Sequence, residues 1–307
     1  MTAILLIGNR LAGTGHPAGM LERLAAELGA ELRAVDDHPA ARRATRDWLA
    51  ENAGRPSAVI AGGGGGTLRA VVEGACDDRP APTGGETVRI GGLRMGSGNV
   101  VAKRYGVPRD PLAGVRHLKA RLEAGTTRPC GVIRCRFGGE PRHGITMCGL
   151  GQFGRVSGDL ARLRRRAPGL RRLAARLVPL ERLNDAEYLS SFLTRMAASA
   201  FVPSSCELVR AHIADQDRSF RLLSGVVMNL PIAGIPIDPG TDIEQPTLGV
   251  RLFPRYGRPL ATLLEPGQAM TLELLDRERT EFFLDEDPET AVRRITIEAA
   301  GTLDFVA

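Results

Sequence analysis

The sequence predicts an α/β domain with a parallel sheet, followed by a domain built largely from antiparallel β-strands. Strand-like and helix-like segments alternate over residues 3–120, and glycine-rich turns separate several of them. After residue 127 the apolar segments become short, β-rich and divided by Gly, Pro and Asp. Alternating strands and helices form βαβ units, which require a parallel sheet. Short strands with frequent turns are typical of antiparallel domains.

The length and composition of the chain limit the classes of protein to which it can belong. A chain of 307 residues suits two domains, and 43% apolar with 25% charged residues excludes wholesale disorder and fibrous repeats. The formal net charge of +6 favours anionic partners such as nucleotides or phospholipid surfaces. Aromatic residues make up only 4%, which argues against recognition by base stacking, so no nucleic-acid partner is expected.

The cysteines and the apolar segments indicate a cellular location. Five cysteines without CxxC spacing argue against disulfides and structural zinc, and they fit reduced thiols in a cytoplasmic protein. The aliphatic run near the start is too short for a signal peptide, and no stretch reaches the roughly 20 apolar residues of a membrane span. We therefore expect a cytoplasmic protein that meets a membrane, if at all, from the inner surface.

Hydrophobic spacing places the elements of the first domain. Aliphatic runs predict strands, and apolar residues at helical spacing predict the helices between them. The predicted elements, in order, are strand 3–7, helix 18–28, strand 31–35, helix 39–52, strand 57–61, helix 67–76 and helix 100–105.

In the second domain, β-rich segments alternate with turns, and two helical stretches interrupt them. The predicted strands are 131–137, 206–213, 221–227, 249–253, 270–275 and 294–298, and the helical stretches are 156–183 and 186–200. Residues 149–154 match GxGxxG, but they lie outside a first βαβ unit and no acid follows at the required distance. We interpret these glycines as a turn.

A glycine run lies directly between a predicted strand and a predicted helix. Glycines let a ligand approach the backbone closely, and the first N–H groups of the helix have no partner within it. Such a turn suits phosphate, whereas the alternative is a flexible connector. The residues concerned are Gly63, Gly64, Gly65, Gly66 and Thr67.

Two further turns follow neighbouring predicted strands. Asn9 and Gly13 lie in the first turn, and a second turn holds Gly96, Ser97, Gly98 and Asn99. Neither has the lysine of a Walker loop, which excludes a P-loop NTPase. The asparagines and the serine could bind nucleotide or, alternatively, serve as turn and cap residues. Three such turns at adjacent strand ends predict one polyphosphate site.

These motifs, in this order, resemble the diacylglycerol, sphingosine and ceramide lipid kinases, whose superfamily includes the NAD kinases. The resemblance implies a nucleotide-binding α/β domain, a β-sandwich domain, and transfer of the γ-phosphoryl group of ATP to a lipid hydroxyl with Mg²⁺. It implies an α/β domain over residues 1–126 with the returning segment 292–307. The β-sandwich domain would span residues 127–291, with a helical insertion over 156–200.

The chain also departs from the family pattern. Gly65 replaces the aspartate of the glycine loop, Arg69 and Ala70 replace an Asn-Glu pair, and Gln245 replaces an aspartate of the β domain. The acids that remain near the end are Asp285, Glu286 and Asp287, which the resemblance aligns with a terminal Asp-Gly-Glu. We predict catalytic roles for these three and magnesium binding by Asp285 and Asp287, because clustered carboxylates favour a cation. A solvated acidic hairpin tip is the alternative.

An arginine-rich stretch could lie on an anionic membrane surface. Its residues are Arg162, Arg164, Arg165, Arg166, Arg171 and Arg172. The alternative is a solvated helix whose leucines pack on the β domain. The sequence leaves three functions open: a lipid kinase, a catalytically silent protein that binds nucleotide or lipid, and a kinase of a non-lipid metabolite. It also leaves open a homodimer.

Overall fold

The structure is a computed structural model, and the chain divides into two compact units. It describes residues 2–12, 17–77, 88–96, 99–166, 180–202, 206–213, 216–230, 237–238, 240–285 and 287–307. Unit 1 comprises Met1–Cys130 and Thr302–Ala307, and unit 2 comprises Gly131–Gly301. Each unit has its own buried apolar core.

Unit 1 is a parallel α/β domain, as the alternation of apolar segments predicts. Its strands are β1 (Ala3–Asn9), β2 (Glu31–Val35), β3 (Ser57–Gly62) and β4 (Val88–Gly92). Its helices are α1 (Met20–Leu28), α2 (His38–Glu51), α3 (Gly65–Cys76), α4 (Val100–Arg104) and α5 (Pro111–Glu123). The strands lie in the order β4-β3-β1-β2, and all of these pairs are parallel.

Capping side chains and glycines explain where several helices of unit 1 begin and end. Asp37 caps α2 by accepting a hydrogen bond from the Ala40 amide at 2.7 Å, and Asp110 caps α5 in the same way. Helix α1 ends at Gly29, whose φ of 70° lies in the left-handed region that favours glycine. Helix α3 begins at Gly65 rather than at residue 67, because the last glycines of the run already form its first turn.

Unit 2 is an antiparallel strand region. Its strands are β5 (Thr127–Arg136), β6 (Arg142–Gly144), β7 (Met147–Leu150), β8 (Glu207–Ile213), β9 (Gln216–Met228), β10 (Leu248–Pro254), β11 (Leu260–Leu264), β12 (Ala269–Leu274), β13 (Arg279–Leu284), β14 (Asp287–Val292) and β15 (Arg294–Val306). Strand β9 pairs with β8 near its start, with β7 near its end, and with β10 along its other edge. The predicted antiparallel class is confirmed.

Three helices lie among the described residues of unit 2: α6 (Gly151–Gly154), α7 (Val156–Arg166) and α8 (Leu180–Phe201). The GxGxxG segment spans the end of β7 and the short helix α6, rather than the turn that the sequence predicts. A Cβ on Gly149 would lie 2.1 Å from the ring of Phe283, and Gly151 takes a φ of 62°. These glycines are explained by close packing, so the segment is not a dinucleotide loop.

Strand β15 belongs to both units. Its first residues pair with β12 in unit 2, from Arg294 opposite Glu273 to Glu298 opposite Ala269. Its last residues pair in parallel with β4, with Phe305 opposite Ile90. The change of unit therefore falls at residue 302, within a continuous strand, whereas the sequence places the returning segment from residue 292. The first change of unit, after Cys130, likewise falls inside a strand, β5.

Candidate functional site

The glycine run joins the carboxyl end of β3 to the start of α3. Strand β3 is buried along its length and ends at Gly62, and Gly64 caps the helix that begins at Gly65. The amide of Leu68 donates to the Gly64 carbonyl at 3.1 Å, which closes the first helical turn. The amides that precede Leu68 in this turn have no helical carbonyl to reach, so they point out of the helix end. This end of a 12-residue helix attracts anions.

Close backbone contacts explain why glycines occupy these positions. A Cβ on Gly63 would lie 2.2 Å from Oγ1 of Thr67, and a Cβ on Gly96 would lie 2.3 Å from Cα of Gly64. The loop after β4 is therefore pressed against the glycine loop, and any side chain at Gly96 would force them apart. The amide of Met95 donates to the Gly63 carbonyl at 3.2 Å and joins the same two loops.

Asn9 joins the first loop to helix α3. Its Oδ1 accepts a hydrogen bond from the Leu11 amide at 2.9 Å, and its Nδ2 donates to Oγ1 of Thr67 at 3.1 Å. Thr67 is only 4% exposed. Both ends of the Asn9 amide are therefore used to hold protein groups together.

Asn99 performs a similar task in the loop after β4. It has a φ of 54°, precedes α4 and is buried. Its Oδ1 accepts from the Gly96 amide at 3.1 Å, and its Nδ2 donates to the Gly96 carbonyl at 2.5 Å. Both asparagines shape the loops through these hydrogen bonds, and their predicted role as nucleotide ligands stays a prediction.

The structure thus brings together most of the predicted nucleotide residues of unit 1. Asn9, Gly63, Thr67, Gly64 and Gly96 are linked by the contacts above, and Gly65 and Gly66 form the first turn of α3. The predicted residues Gly13, Ser97 and Gly98 lie outside the described residues. A nucleotide-binding role for the whole set stays a prediction.

Gly65 differs from its neighbours. It is exposed, and a Cβ added there would have no atom within 4 Å. Packing therefore does not explain the glycine at the position where the lipid kinases resembled by this chain carry an aspartate.

Sequence reasoning missed a buried polar group behind the glycine loop. Arg69 and Glu73 of α3 are fully buried and lie 3.1 Å apart, and Nε2 of His38 lies 2.8 Å from the other oxygen of Glu73. Glycine at 74 lets α2 approach, since a Cβ there would lie 2.4 Å from the Arg42 carbonyl. The i,i+4 spacing of Arg69 and Glu73 was the available signal.

In unit 2, Asp285 is a structural carboxylate. Its Oδ1 accepts from the Thr146 amide at 2.7 Å, the Thr146 hydroxyl at 2.6 Å and the Met147 amide at 3.2 Å. Its Oδ2 accepts from the Ile145 amide at 2.6 Å. The residue is 7% exposed and has a φ of 49°. Four donors occupy the carboxylate, so these contacts argue against the predicted roles of Asp285 in catalysis and in metal binding.

The structure describes only one of the other two acids of this segment, Glu286 and Asp287. Asp287 begins β14 and is half-buried, and Glu286 lies outside the described residues. Within the described ranges, no group of three His, Cys, Asp or Glu side chains is arranged to hold a metal ion. A catalytic or magnesium-binding role for Asp287 therefore stays a prediction.

The arginine-rich stretch is only partly described. Arg162 is half-exposed and contacts two acids, Asp159 at 2.6 Å and Glu281 at 3.8 Å. Arg166 is exposed, while the side chains of Arg164 and Arg165 and all of Arg171 and Arg172 lie outside what the structure describes. Leu163, one of the leucines that the alternative interpretation packs on the β domain, is 56% exposed. No helix in the described part of the chain is long and apolar enough to cross a membrane.

The fold and the loops together define a class of protein: a parallel α/β unit whose glycine loop opens a helix, followed by an antiparallel strand region. Residues 3–134 match the family model of the diacylglycerol kinase catalytic domain. Residues 3–134 are therefore similar to the diacylglycerol kinase catalytic domain.

Solved structures from Bacillus anthracis strain Sterne share the fold. One is a diacylglycerol kinase with a TM-score of 0.61 and 15% identity, matched over 99% of this chain and 96% of its own. Another structure, of a candidate diacylglycerol kinase, has a TM-score of 0.64 and 16% sequence identity. The match covers 99% of this chain and 96% of the other protein's chain. No curated protein matches the sequence.

Proposed function

We propose that this lipid kinase-like chain transfers the γ-phosphoryl group of ATP to a hydroxyl of a lipid of the diacylglycerol, sphingoid base or ceramide type. One observation carries the proposal. Within the segment that matches the kinase catalytic domain, two loops are pressed together through Gly64 and Gly96 at the N-terminus of α3. This arrangement offers backbone N–H donors to a polyphosphate, and such donors need no rearrangement when the anion binds.

In this mechanism the chain mainly positions the phosphates. The amides of Gly65, Gly66 and Thr67 would hold the phosphate oxygens, which favours an in-line arrangement with the acceptor hydroxyl. Mg²⁺ that arrives with ATP would neutralise charge on the phosphate oxygens. For removal of the hydroxyl proton we propose Asp287, which begins β14, is half-buried and belongs to the segment that the resemblance aligns with the terminal Asp-Gly-Glu of the family.

We also propose that the acceptor is taken from the inner membrane surface by a cytoplasmic enzyme. Exposed Arg166, with half-exposed Arg162 and the exposed side chain of Leu163, supports this part of the proposal. Cations near an anionic surface attract it, and exposed apolar side chains can enter the interface.

The experiment is a phosphoryl-transfer assay with ATP and Mg²⁺. Diacylglycerol, sphingosine and ceramide are presented separately in mixed micelles, and the phosphorylated lipid is measured by mass spectrometry. We expect one of these classes to be phosphorylated, with loss of the product when EDTA is added. Measurable ATP binding without product from any lipid would reject the lipid-kinase assignment.

A second candidate function, a catalytically silent binding protein, is favoured by the exposed glycine at position 65. Loss of a general base typically costs about 10²–10⁴-fold in rate. A Cβ at Gly65 meets nothing within 4 Å, so the backbone there accepts a side chain in place of the glycine.

The variant Gly65→Asp separates the two candidates, and Gly65→Asn is its matched control of equal size without the charge. If the protein is silent because it lacks this acid, we expect Gly65→Asp to raise the rate of phosphoryl transfer at least about 10²-fold. Gly65→Asn should leave the rate unchanged. Turnover by the natural chain that Gly65→Asp does not improve would reject the idea that this substitution silences it. No turnover by either form, with nucleotide bound by both, would favour the silent protein.

A further inference from the structure

Four strands lie at a sheet edge in the part of the chain that the structure describes: β2, β6, β11 and β14. An edge strand has backbone groups without a partner strand, and proteins usually protect such strands with charge, proline or short length. Strand β2 carries Glu31 and Arg33, β6 has only three residues, and β14 carries Asp287 and Pro288. Strand β11 has none of these protections, since its five residues are Leu-Ala-Thr-Leu-Leu. Among these edges it is therefore the one best suited to pair with another strand.

The contacts of Arg251 on β10 show which backbone groups of β11 face its open edge. Nη1 of Arg251 donates to the carbonyls of Val250 at 2.9 Å and Thr262 at 3.3 Å, and these two residues lie opposite each other. One nitrogen reaches both oxygens only if the carbonyls point toward each other between the two strands, which lie about 4.8 Å apart. Backbone groups of successive residues point to alternate sides of a strand. The N–H and C=O groups of Ala261 and Leu263 therefore face the open edge.

This edge is accessible, and the core holds the strand in place. Ala261 is exposed, and Leu263 is 40% exposed. The Leu263 carbonyl accepts a long contact of 3.4 Å from the neighbouring Thr262 hydroxyl. On the other face, Leu264 is buried in the core of unit 2 and Leu260 packs against it. Strand β11 thus offers donors and acceptors on a fixed, apolar edge.

A second copy of β11 fits these groups in one register. In an antiparallel pair centred on Thr262, Ala261 lies opposite Leu263 of the other copy, and each of these residues donates and accepts. A centre at Ala261 would bring Pro259, which has no N–H, to the ladder. A centre at Leu263 would bring Glu265, whose N–H already donates to a side chain, Oε1 of Gln268, at 2.9 Å.

The residues beside β11 carry opposite charges at its two ends. Arg258 precedes the strand, Glu265 follows it, and both are exposed. In the register centred on Thr262, position 258 comes next to position 265 of the other copy, so each arginine meets a glutamate. A parallel pair would instead bring like charges together, which is unfavourable. The charges therefore favour an antiparallel copy of the same strand.

We propose that β11 is an interaction surface on which a second copy of this chain adds its own β11, antiparallel and centred on Thr262. The product is a two-fold homodimer, in which the same surface serves both copies. The proposal goes beyond the phosphoryl-transfer function and does not depend on it. A single short strand pair buries little area, so the dimer is expected to be weak and to form in the micromolar range.

The experiment is sedimentation velocity of the full chain from low to high micromolar concentration. We expect the natural chain to shift from monomer to dimer. Ala261→Pro removes a donor that faces the open edge and leaves the ladder with β10 its partners, so the dimer should be lost. Ala261→Ser keeps the N–H and is the matched control, which should dimerise like the natural chain.

A charge exchange tests the partner and its direction without altering the strand. Arg258→Glu and Glu265→Arg should each raise the dissociation constant about 10-fold or more, because the two-fold axis repeats each new repulsion at both ends. The double variant restores opposite charges and should dimerise like the natural chain. Arg43→Glu, an exposed position on α2, changes the net charge equally and should have no effect.

Circular dichroism checks the fold of each variant, and if Ala261→Pro does not fold, the charge exchange decides alone. A dimer that survives Ala261→Pro in a folded chain would overturn the proposal. So would a double charge variant that stays as weak as the single ones. A natural chain that is monomeric at every concentration would also overturn it and would leave the edge to a partner of different sequence.

Discussion

The glycine loop of unit 1 and the acidic segment of unit 2 have opposite chemistry. At the glycine loop, Asn9 and Asn99 use their side chains to hold the loops, and the first backbone amides of α3 have no helical carbonyl as a partner. At the acidic segment, four donors from residues 145–147 already fill the carboxylate of Asp285. The comparison shows that a sequence motif does not reveal which of its polar atoms can bind a ligand, because neighbouring loops can form hydrogen bonds with those atoms.

The contact between the two loops of unit 1 gives the largest expected effect. In Gly96→Ala the new Cβ would lie 2.3 Å from Cα of Gly64, and a backbone atom cannot move aside as a flexible side chain can. We expect a loss of about 3 kcal/mol in the free energy of unfolding, at the upper end for overpacking. ATP binding should fall with it, because the loops that hold the amides would separate. Urea denaturation and calorimetric titration measure the two effects.

Gly65→Ala is the matched control, since its Cβ meets no atom within 4 Å and the residue directly follows Gly64, the contact partner of Gly96. We expect its free energy of unfolding to stay within about 0.5 kcal/mol of the natural value, or to rise slightly because alanine favours a helix. Equal effects of the two substitutions would show that the contact between Gly64 and Gly96 does not hold the loops together.

The second-largest expected effect is a loss of stability in Asp285→Asn, which tests whether Asp285 has a structural role. In Asp285→Asn one acceptor oxygen becomes an NH₂ group, which faces donors from residues 145–147. We expect a loss of about 2 kcal/mol in the free energy of unfolding, the range for hydrogen bonds to a charged group. Urea denaturation at pH 7 measures it.

Asp287→Asn is the comparison for this prediction, because Asp287 belongs to the same segment and is half-buried. We expect a smaller loss in unfolding free energy than for the buried Asp285, because Asp287 is partly exposed, together with a fall of about 10²-fold or more in lipid phosphorylation. A stable Asp285→Asn protein that has lost activity would restore Asp285 as the catalytic acid and contradict the structural role.

Much of unit 1 could be predicted from sequence because its signals are local. Aliphatic runs of strand length and apolar residues at helical spacing locate β1, β3 and α1 without knowledge of the rest of the chain. The capping residues Asp37 and Asp110 act within three residues of themselves. The order of the glycine turns along these elements then predicts that they meet at one edge of the sheet.

The remaining features depend on residues far apart in the chain. The bond from Asn9 to Thr67 spans 58 positions, and that from Ile145 to Asp285 spans 140. No local pattern shows that an acid such as Asp285 will be surrounded by amides from a distant loop. The sequence predicts a segment that returns to the first domain from residue 292, whereas the unit changes at residue 302, because one continuous β pattern covers both parts of β15.

The smallest expected effect extends the comparison to a second structural carboxylate of unit 2. Asp159 of α7 accepts from both Arg195 of α8 and Arg162, the latter at 2.6 Å. Burial alone would raise the pKa of Asp159, but the hydrogen bonds from Arg195 and then Arg162 outweigh it and lower the pKa below the usual value.

A lowered folded pKa determines the direction of the pH dependence. The stabilisation by Asp159 is fully present above the unfolded value of about 3.9 and is lost as the pH falls through the lower folded value. In Asp159→Asn we expect unfolding free energy to fall by about 1 kcal/mol at pH 7, and the difference from the natural chain to shrink as the pH drops below about 4. Urea denaturation between pH 7 and pH 2.5 measures the difference.

The control is Asp217→Asn, which alters an exposed pair with His212. It should change the free energy of unfolding by no more than about 0.5 kcal/mol at any pH. A difference that grows on acidification would mean that the two arginines do not govern the titration of Asp159.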